Sequence, residues 1–448
     1  MKKTLTKNAF IWTPVLAILI IGIVLRILFT GYFGVRSTYD DFWGTTTYTH
    51  DTLEHIQYIK FVAHNLSLPQ VDKGLEYPQQ PLYYIITGFS YRLLQNFLAS
   101  GDAIFKILIW YSCLFSALSL LFVFLIVRRM TDSVWLQSFI VGVFAFTPAF
   151  IFHSVMISND PLLTFLSAAA FYFLISYAKS DKLQDVFLSV IFSALAAFTK
   201  ISSGFIFLLI IGFLVYKYRE NKKTLILNTI FAVFLIGFLC FGAALWRAYI
   251  PSTNQFRFVE SYSWANQRVY PETFSYLFKF NFPELLQEAQ SHVFGNEKVA
   301  KTWPTFLYGS SIFGEYEYNN VTSFFPHMRL LMQIILILGL CLPVGLIMNL
   351  FFIKKWSESD YIFIIAIIIN FLMLALFLFK YSAVCNSDFR YLNSVFTPII
   401  IFSGFGLLRA DEKFKKLRSI IPVLCISLIS LEFLWVAFRV AIKAFANI

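Results

Sequence analysis

Charge is what this 448-residue chain has least of: Asp, Glu, Lys and Arg make up only 14% of it, against 58% hydrophobic and 19% aromatic residues. That balance excludes an ordinary soluble domain, in which about a quarter of residues are charged. Cysteine is scarce as well. Cys113, Cys240, Cys341 and Cys425 lie inside apolar runs and only Cys385 lies near a polar stretch, so neither a disulfide framework nor a zinc spacing is present. The N-terminus, MKKTLTKNAF, has no small-residue cleavage site after its apolar run, and it reads as a retained first helix. The net charge of +11 is not gathered on one face. It is spread over short clusters between apolar runs, a pattern of membrane topology and not of nucleic-acid binding.

What the chain does have is repeated apolar runs near twenty residues long, enough to cross a bilayer many times. Spans are expected near 9–33, 103–129, 134–157, 160–178, 184–199, 201–217, 223–249, 327–353, 359–380, 391–409 and 418–443, about eleven helices in all. Two long loops interrupt them, 34–101 and 250–326. The chain therefore divides into a membrane module (1–249) containing the first loop, a second loop (250–326) and C-terminal membrane helices (327–448).

The segment 81–98, PLYYIITGFSYRLLQNFL, decides the topology. It carries Arg92 and Gln95 and opens on Pro81. If it does not cross, 18 of the 36 Lys and Arg residues fall in six stretches on the side of the N-terminus, and the short connections opposite hold only Lys200, Lys380 and Arg390. If it does cross, Arg128-Arg129 and most later clusters move outside, against the positive-inside rule. Residues 81–98 are thus expected to lie along the outer interface as an amphipathic helix. The N-terminus is then cytoplasmic, and Asp51, Asp160, Lys200, Arg390 and the second loop share the extracytoplasmic face.

In the first loop, apolar residues at Leu53, Ile56, Ile59, Ala63 and Leu66 follow a helical spacing, with that face expected to meet the membrane. Asp51, Glu54 and His55 fall near one another on the polar side of that helix. A carboxylate at a hydrophobic boundary has its pKa raised and can take a proton from a hydroxyl. The same spacing also fits a helix cap, Asp51 with Glu54 completing a D-x-x-E box. Asp40 and Asp41, in TYDDFW, suit a surface turn at least as well as a site.

These stretches resemble a known family. HDTLEHIQYIKFVAHNLSLP followed by YPQQPLYYIITGF is similar to the first-loop pattern of C-type (GT-C) membrane glycosyltransferases, particularly protein O-mannosyltransferases and bacterial aminoarabinose transferases. The resemblance implies that Asp51 is the catalytic aspartate and that Tyr83 lies in the substrate site. The chain departs from the family at Thr52, where a second acidic residue is usual, and at Gln79, where a phosphate-contacting lysine is common. Three later motifs fit the same family. SNDPLL puts Asp160 at the start of a span, where Asp-Pro also makes an ordinary helix start; the resemblance implies a role in arranging the donor. FTKISSG puts Lys200 in a tight helical hairpin, where it either snorkels to the interface or, as the family implies, faces the cavity. CNSDFRYLNSVFTP puts Asp388, Arg390 and Tyr391 before a span. An arginine there is costly unless paired or functional, and its planar fork suits a phosphate.

The expected activity is inverting transfer of a sugar from a polyprenyl-phosphate donor to a hydroxyl of a lipid, glycan or protein acceptor, in the plasma membrane and without nucleic acid. Asp51 would act as base, with Lys200 and Arg390 on the departing phosphate. A divalent ion such as Mg or Mn is possible, with Asp40, Asp41, Asp51 and Asp160 as ligand candidates, though no spacing demands one. The second loop is rich in Tyr, Phe and Trp, and Trp303, Glu315 and Arg329 are its first residues of interest. A polysaccharide polymerase or ligase is the nearest alternative. A lipid-linked sugar transporter is disfavoured, because charges collect at span ends and not at mid-membrane. An oligosaccharyltransferase is set aside for want of a Trp-Trp-Asp element.

Overall fold

The computed structural model describes residues 2–33, 52–74, 76–219, 274–287, 302–314, 325–380, 388–414 and 419–446, with isolated positions between 221 and 256. Apolar segments in lipid must satisfy their backbone internally, which favours helices, and nearly every described segment is one. In chain order they are α1 (Lys2–Phe33), α2 (Thr52–Asn65), α3 (Leu82–Leu94), α4 (Gly101–Met130), α5 (Val134–Phe146), α6 (Pro148–Phe152), α7 (Asp160–Ser180), α8 (Leu183–Thr199), α9 (Phe205–Tyr218), α10 (Phe274–Phe278), α11 (Phe282–Gln287), α12 (Trp303–Phe313), α13 (Pro326–Gly339), α14 (Cys341–Phe352), α15 (Glu358–Lys380), α16 (Phe396–Lys413) and α17 (Ile420–Ala446). One two-residue antiparallel pair, Tyr249–Ile250 with Gln255–Phe256, interrupts them.

This is an all-α polytopic membrane protein. Among the described residues seven stretches are long and apolar enough to cross a bilayer, and the bent pair α5–α6 makes an eighth if it is one span. Of the remaining expected spans, α8 is a shorter apolar helix of 17 residues, 391–409 begins as a short 3-10 turn before α16, and 223–249 lies almost wholly outside the described residues. Helix α3 has 13 residues, about 20 Å at 1.5 Å per residue, too short to cross. It packs on α2 so closely that a Cβ at Gly88 would lie 2.7 Å from Val62 Cγ1. Phe89 and Leu93 are exposed on its other side, and Phe97 is exposed just past its end, as suits a helix lying at an interface.

The expected span 134–157 is not straight. Thr147-Pro148 breaks it by 52°, because Pro148 has no N–H for the Phe144 carbonyl. That orphaned carbonyl is met from α1. Arg26, fully buried, donates to the carbonyls of Phe144 (2.9 Å), Ala145 (3.0 Å) and Gly22 (2.9 Å) and to Ser116 Oγ (2.8 Å). On the other side of the break, Thr147 Oγ lies 3.1 Å from Glu432 of α17. The expectation that ionisable residues keep to the span ends therefore needs correcting: Arg26 and Glu432 lie inside spans, Arg26 held by main-chain carbonyls at the break and Glu432 by the Thr147 hydroxyl.

Farther from the site, α14 and α16 meet through small residues. Cβ atoms at Gly345 or Gly406 would collide with the facing backbone, the close approach that helix pairs in lipid use in place of hydrophobic drive.

Candidate active site

The site is built where the end of the broken span, the α8–α9 hairpin and the turn before α16 meet. After α6, a 3-10 turn (His153–Val155) is fixed by neighbours. Thr30 of α1 donates to the Ser154 carbonyl at 3.1 Å, and Ser112 of α4 donates to the Met156 carbonyl. Chain direction reverses there, and Asp160 opens α7. Asn159, not Asp160, holds the capping position, and Pro161 occupies the first turn. The aspartate side chain is thereby released from capping.

Its carboxylate is spent instead on Lys200. Lys200 Nζ lies 2.8 Å from Asp160 Oδ1, with the two side chains 14% and 2% exposed. This settles the two readings of Lys200: it points into the protein and does not snorkel. Its ammonium lies 5.7 Å from the ring centre of Tyr391, a cation–π arrangement. Tyr391 belongs to a 3-10 turn (Phe389–Leu392) capped by Asp388, whose side chain accepts from the Arg390 backbone N–H. The other Asp388 oxygen meets Arg390 Nε at 2.5 Å, with Asp388 buried and Arg390 17% exposed. Five of the expected site residues (Asp160, Lys200, Asp388, Arg390 and Tyr391) thus come together as two carboxylate–cation pairs, with the Tyr391 ring of the second pair's turn beside Lys200.

The first loop docks on this cluster through YPQQPLYY. Asn159 Nδ2 donates to Gln79 Oε1 (3.3 Å) and to the Thr199 carbonyl (3.2 Å), and the Ile201 N–H donates to Gln80 Oε1 (2.9 Å). Two neutral amides therefore tie the loop to the Asp160 and Lys200 turns at the place where the family often carries a lysine. Behind them, Tyr84 stacks on Tyr58 at 3.7 Å, and its hydroxyl lies 2.7 Å from His55 Nδ1, which is 3.8 Å from Glu76 Oε2. Burial first, then the negative charge of Glu76, the neighbouring Tyr58 and Tyr83 hydroxyls and Asp160, push the Tyr84 hydroxyl well above its ordinary range. Burial likewise pushes Tyr83 up.

His55 was expected beside Asp51 on a polar face of α2; it lies instead on the buried face with Tyr58, Ile59 and Val62, while Leu53 and Leu66 are exposed. The helix packs its aromatic side on α3, which draws His55 inward, while of the apolar stripe Ile59 and Ala63 are buried and Leu53 and Leu66 stay exposed. Glu54 remains at the first turn of α2. That helix begins at Thr52, one residue after Asp51; Asp51, Asp40, Asp41 and Glu315 lie outside the described residues. Trp303 opens α12, and Arg329 on α13 donates to the Gln287 carbonyl at 2.6 Å. Among the described residues no group of three or more His, Cys, Asp and Glu could hold a metal ion. Of the metal candidates only Asp160 is described, and it is engaged with Lys200.

Three polar groups escaped the sequence reading. His153 Nε2, Ser158 Oγ and both amide atoms of Asn393 are buried without a hydrogen-bond partner among the described residues. All three sit in the segments 153–160 and 388–393 that carry the ion pairs. Ser158 was within reach, as the first residue of SNDPLL, and Asn393 follows DFRYL directly. His153 sits inside an apolar run with nothing to mark it.

Comparison with known proteins bears on this arrangement. Residues 81–246 match the family model described as dolichyl-phosphate-mannose-protein mannosyltransferase. The chain resembles the C-type membrane glycosyltransferases. The match begins at Pro81, so it includes Tyr83, Asp160 and Lys200 and stops short of Asp51. A comparison with curated sequences returned no match. Among solved structures, the Archaeoglobus fulgidus oligosaccharyltransferase in complex with zinc and sulfate is similar at a TM-score of 0.55 and 13% identity, covering 95% of this chain and 53% of that one. The archaeal oligosaccharyltransferase AglB from the same organism, in complex with an inhibitory peptide and a dolichol-phosphate, gives 0.54 and 13%, covering 97% and 56%. The chain spans little more than half the length of these proteins, and at that identity the likeness is one of fold.

Proposed function

We propose that this protein is a membrane glycosyltransferase that moves a sugar from a polyprenyl-phosphate donor to an acceptor hydroxyl at the extracytoplasmic face. The observation that carries the reading is the meeting of Asp160–Lys200 and Asp388–Arg390 around Tyr391 at the end of the bundle where α2 and α3 dock. Both cations are partly exposed and held by carboxylates, so an anionic phosphate can approach them. The mannosyltransferase family match over 81–246 supports the same class.

In the reaction, Asp51 takes the proton from the acceptor hydroxyl as its oxygen bonds to the anomeric carbon. The bond from that carbon to the phosphate oxygen breaks, and the electron pair leaves on the lipid phosphate beside Arg390 and Lys200. One displacement inverts the anomeric centre. The sugar is a hexose or pentose, and the acceptor is a lipid, glycan or protein hydroxyl.

The test is glycosyl transfer in cells at matched membrane levels of wild type, Asp51→Asn and Asp40→Asn. Loss in Asp51→Asn alone is expected. Full activity in Asp51→Asn would move the base elsewhere and bring the polymerase alternative forward.

A further inference from the structure

We propose that His153 is a further donor-binding residue, its Nε2–H hydrogen-bonding an oxygen of the phosphate in the lipid-linked donor; this rests on the function just proposed. His153 is 1% exposed, and its Nε2 has no partner among the described residues. Buried polar atoms nearly always have one, so an orphan beside a candidate site points to a group that arrives later. The ring lies flat on Phe389, with centroids 5.4 Å apart and planes at 18°, and edge-on to Phe150 at 5.8 Å. Phe389 separates Asp388 from Arg390, so the imidazole is stacked on the turn that bears the arginine. The His153 turn has little freedom to swing away. Thr30 and Ser112 hold the carbonyls of Ser154 and Met156, and Ser154 Oγ donates to the Ile151 carbonyl at 2.6 Å.

Charge explains why a neutral donor is needed there. The charged groups that reach His153 are Asp160 on α7, Lys200 in the hairpin, Asp388 before α16 and Arg26 on α1. Lys200 is already paired with Asp160, Arg390 with Asp388, and Arg26 is committed to backbone carbonyls. A phosphodiester entering this cluster meets cations whose charge is already shared. An imidazole N–H binds it without opening either pair. Ser158 and Asn393, buried and unpaired in the same two segments, are of the same neutral kind.

The bland alternative is that His153 is only an aromatic filler against Phe389. Two substitutions separate the readings. His153→Phe keeps the stacking and removes the N–H; His153→Gln puts an amide N–H near the place of Nε2 and gives up the ring. The probe is farnesyl methyl phosphate, a prenyl phosphodiester without sugar, titrated calorimetrically into the purified full chain, with thermal unfolding measured in parallel. Wild type and His153→Gln are expected to bind within about threefold of each other, and His153→Phe about tenfold more weakly at an unchanged Tm, the effect of one lost hydrogen bond to a charged group. Wild-type affinity in His153→Phe, or equal losses in both variants, would overturn the assignment and leave the proposed function standing. Should His153→Phe not fold, His153→Asn takes its place: its amide falls short of Nε2, so it is expected to lose what His153→Gln keeps, and parity of the two would overturn the role. Binding of inorganic phosphate as tight as that of the prenyl ester would overturn the lipid-linked donor as ligand. No binding of the ester by wild type would remove the proposed function itself.

Discussion

Arg26 and Lys200 are both cations lodged in an apolar bundle, and they are held in opposite ways. Arg26 spends its donors on main-chain carbonyls at the α5–α6 break and on Ser116, and it is fully buried. Lys200 is held by one carboxylate, over one aromatic ring, and keeps 14% of its side-chain surface. The first arrangement completes a backbone that Pro148 left incomplete. The second can be redistributed when another anion arrives. Burial of a charge in a membrane protein therefore does not by itself mark a site; the kind of partner and the remaining access do.

The sharpest way to break this contrast is Arg26→Leu. It leaves the Phe144 and Ala145 carbonyls without their partner, at about 1–3 kcal/mol each, a large share of the 5–15 kcal/mol that holds an ordinary domain together. The yield of monodisperse protein after detergent extraction should collapse. Wild-type yield and Tm for Arg26→Leu would show that the break does not depend on it.

Lys200→Met comes next. It strands a buried carboxylate, which typically costs about 3–5 kcal/mol, and it removes a cation from the site. Glycosyl transfer should fall by about 100-fold, within the range seen when a transition-state charge contact is lost. The double variant Asp160→Asn/Lys200→Met removes both charges, so its Tm should return most of the way to wild type while transfer stays low. Recovery of transfer along with stability would make the pair purely structural.

How far these assignments were readable in the chain depends on the range of the contacts behind them. SNDPLL, FTKISSG and DFRY each stood out, because a charged residue beside an apolar span is costly and therefore informative. Their meeting was not readable: Asp160 and Lys200 are forty residues apart, and nothing local fixes which helix ends adjoin. The α5–α6 break had a local signal in Thr147-Pro148, yet the apolar run continues through it, so hydropathy alone reports one straight span. Arg26 was hidden for the same reason, since its partners are carbonyls, which have no sequence identity. In α2 the helical period was right and the side of His55 was not, because packing on α3 draws His55 and Tyr58 inward. The interfacial placing of 81–98 came from charge asymmetry, a whole-chain property, and the length of α3 agrees with it.

Arg390→Lys tests a smaller effect, the value of shape beyond charge. Lysine keeps the cation and loses the planar fork, and it cannot reproduce the Nε contact to Asp388 with the same geometry. The expected result is a rise of about tenfold in donor KM with Tm nearly unchanged, as suits a side chain that is 17% exposed. An unchanged KM would mean that Arg390 acts only as a remote charge.

The smallest effect is expected at Tyr84→Phe. Its hydroxyl lies 2.7 Å from His55 Nδ1, and the ring stacks on Tyr58; phenylalanine keeps the stack and loses the hydrogen bond. One neutral hydrogen bond contributes about 1 kcal/mol, so activity should drop only a few-fold. The pH dependence decides whether the hydroxyl does more than brace the helix pair. Burial and the nearby negative charge raise its folded-state pKa above the unfolded value near 10. Any stability contributed by that shift is fully present below pH 10 and is lost only as pH climbs through the raised value. Between pH 5 and 9 the group stays protonated, so wild type and Tyr84→Phe should give parallel pH–rate profiles offset by a constant factor. A limb present in wild type and absent in the variant would mean that Tyr84 exchanges its proton with His55 during turnover, and the pair would then pass from the scaffold under α2 into the chemistry that Lys200 represents.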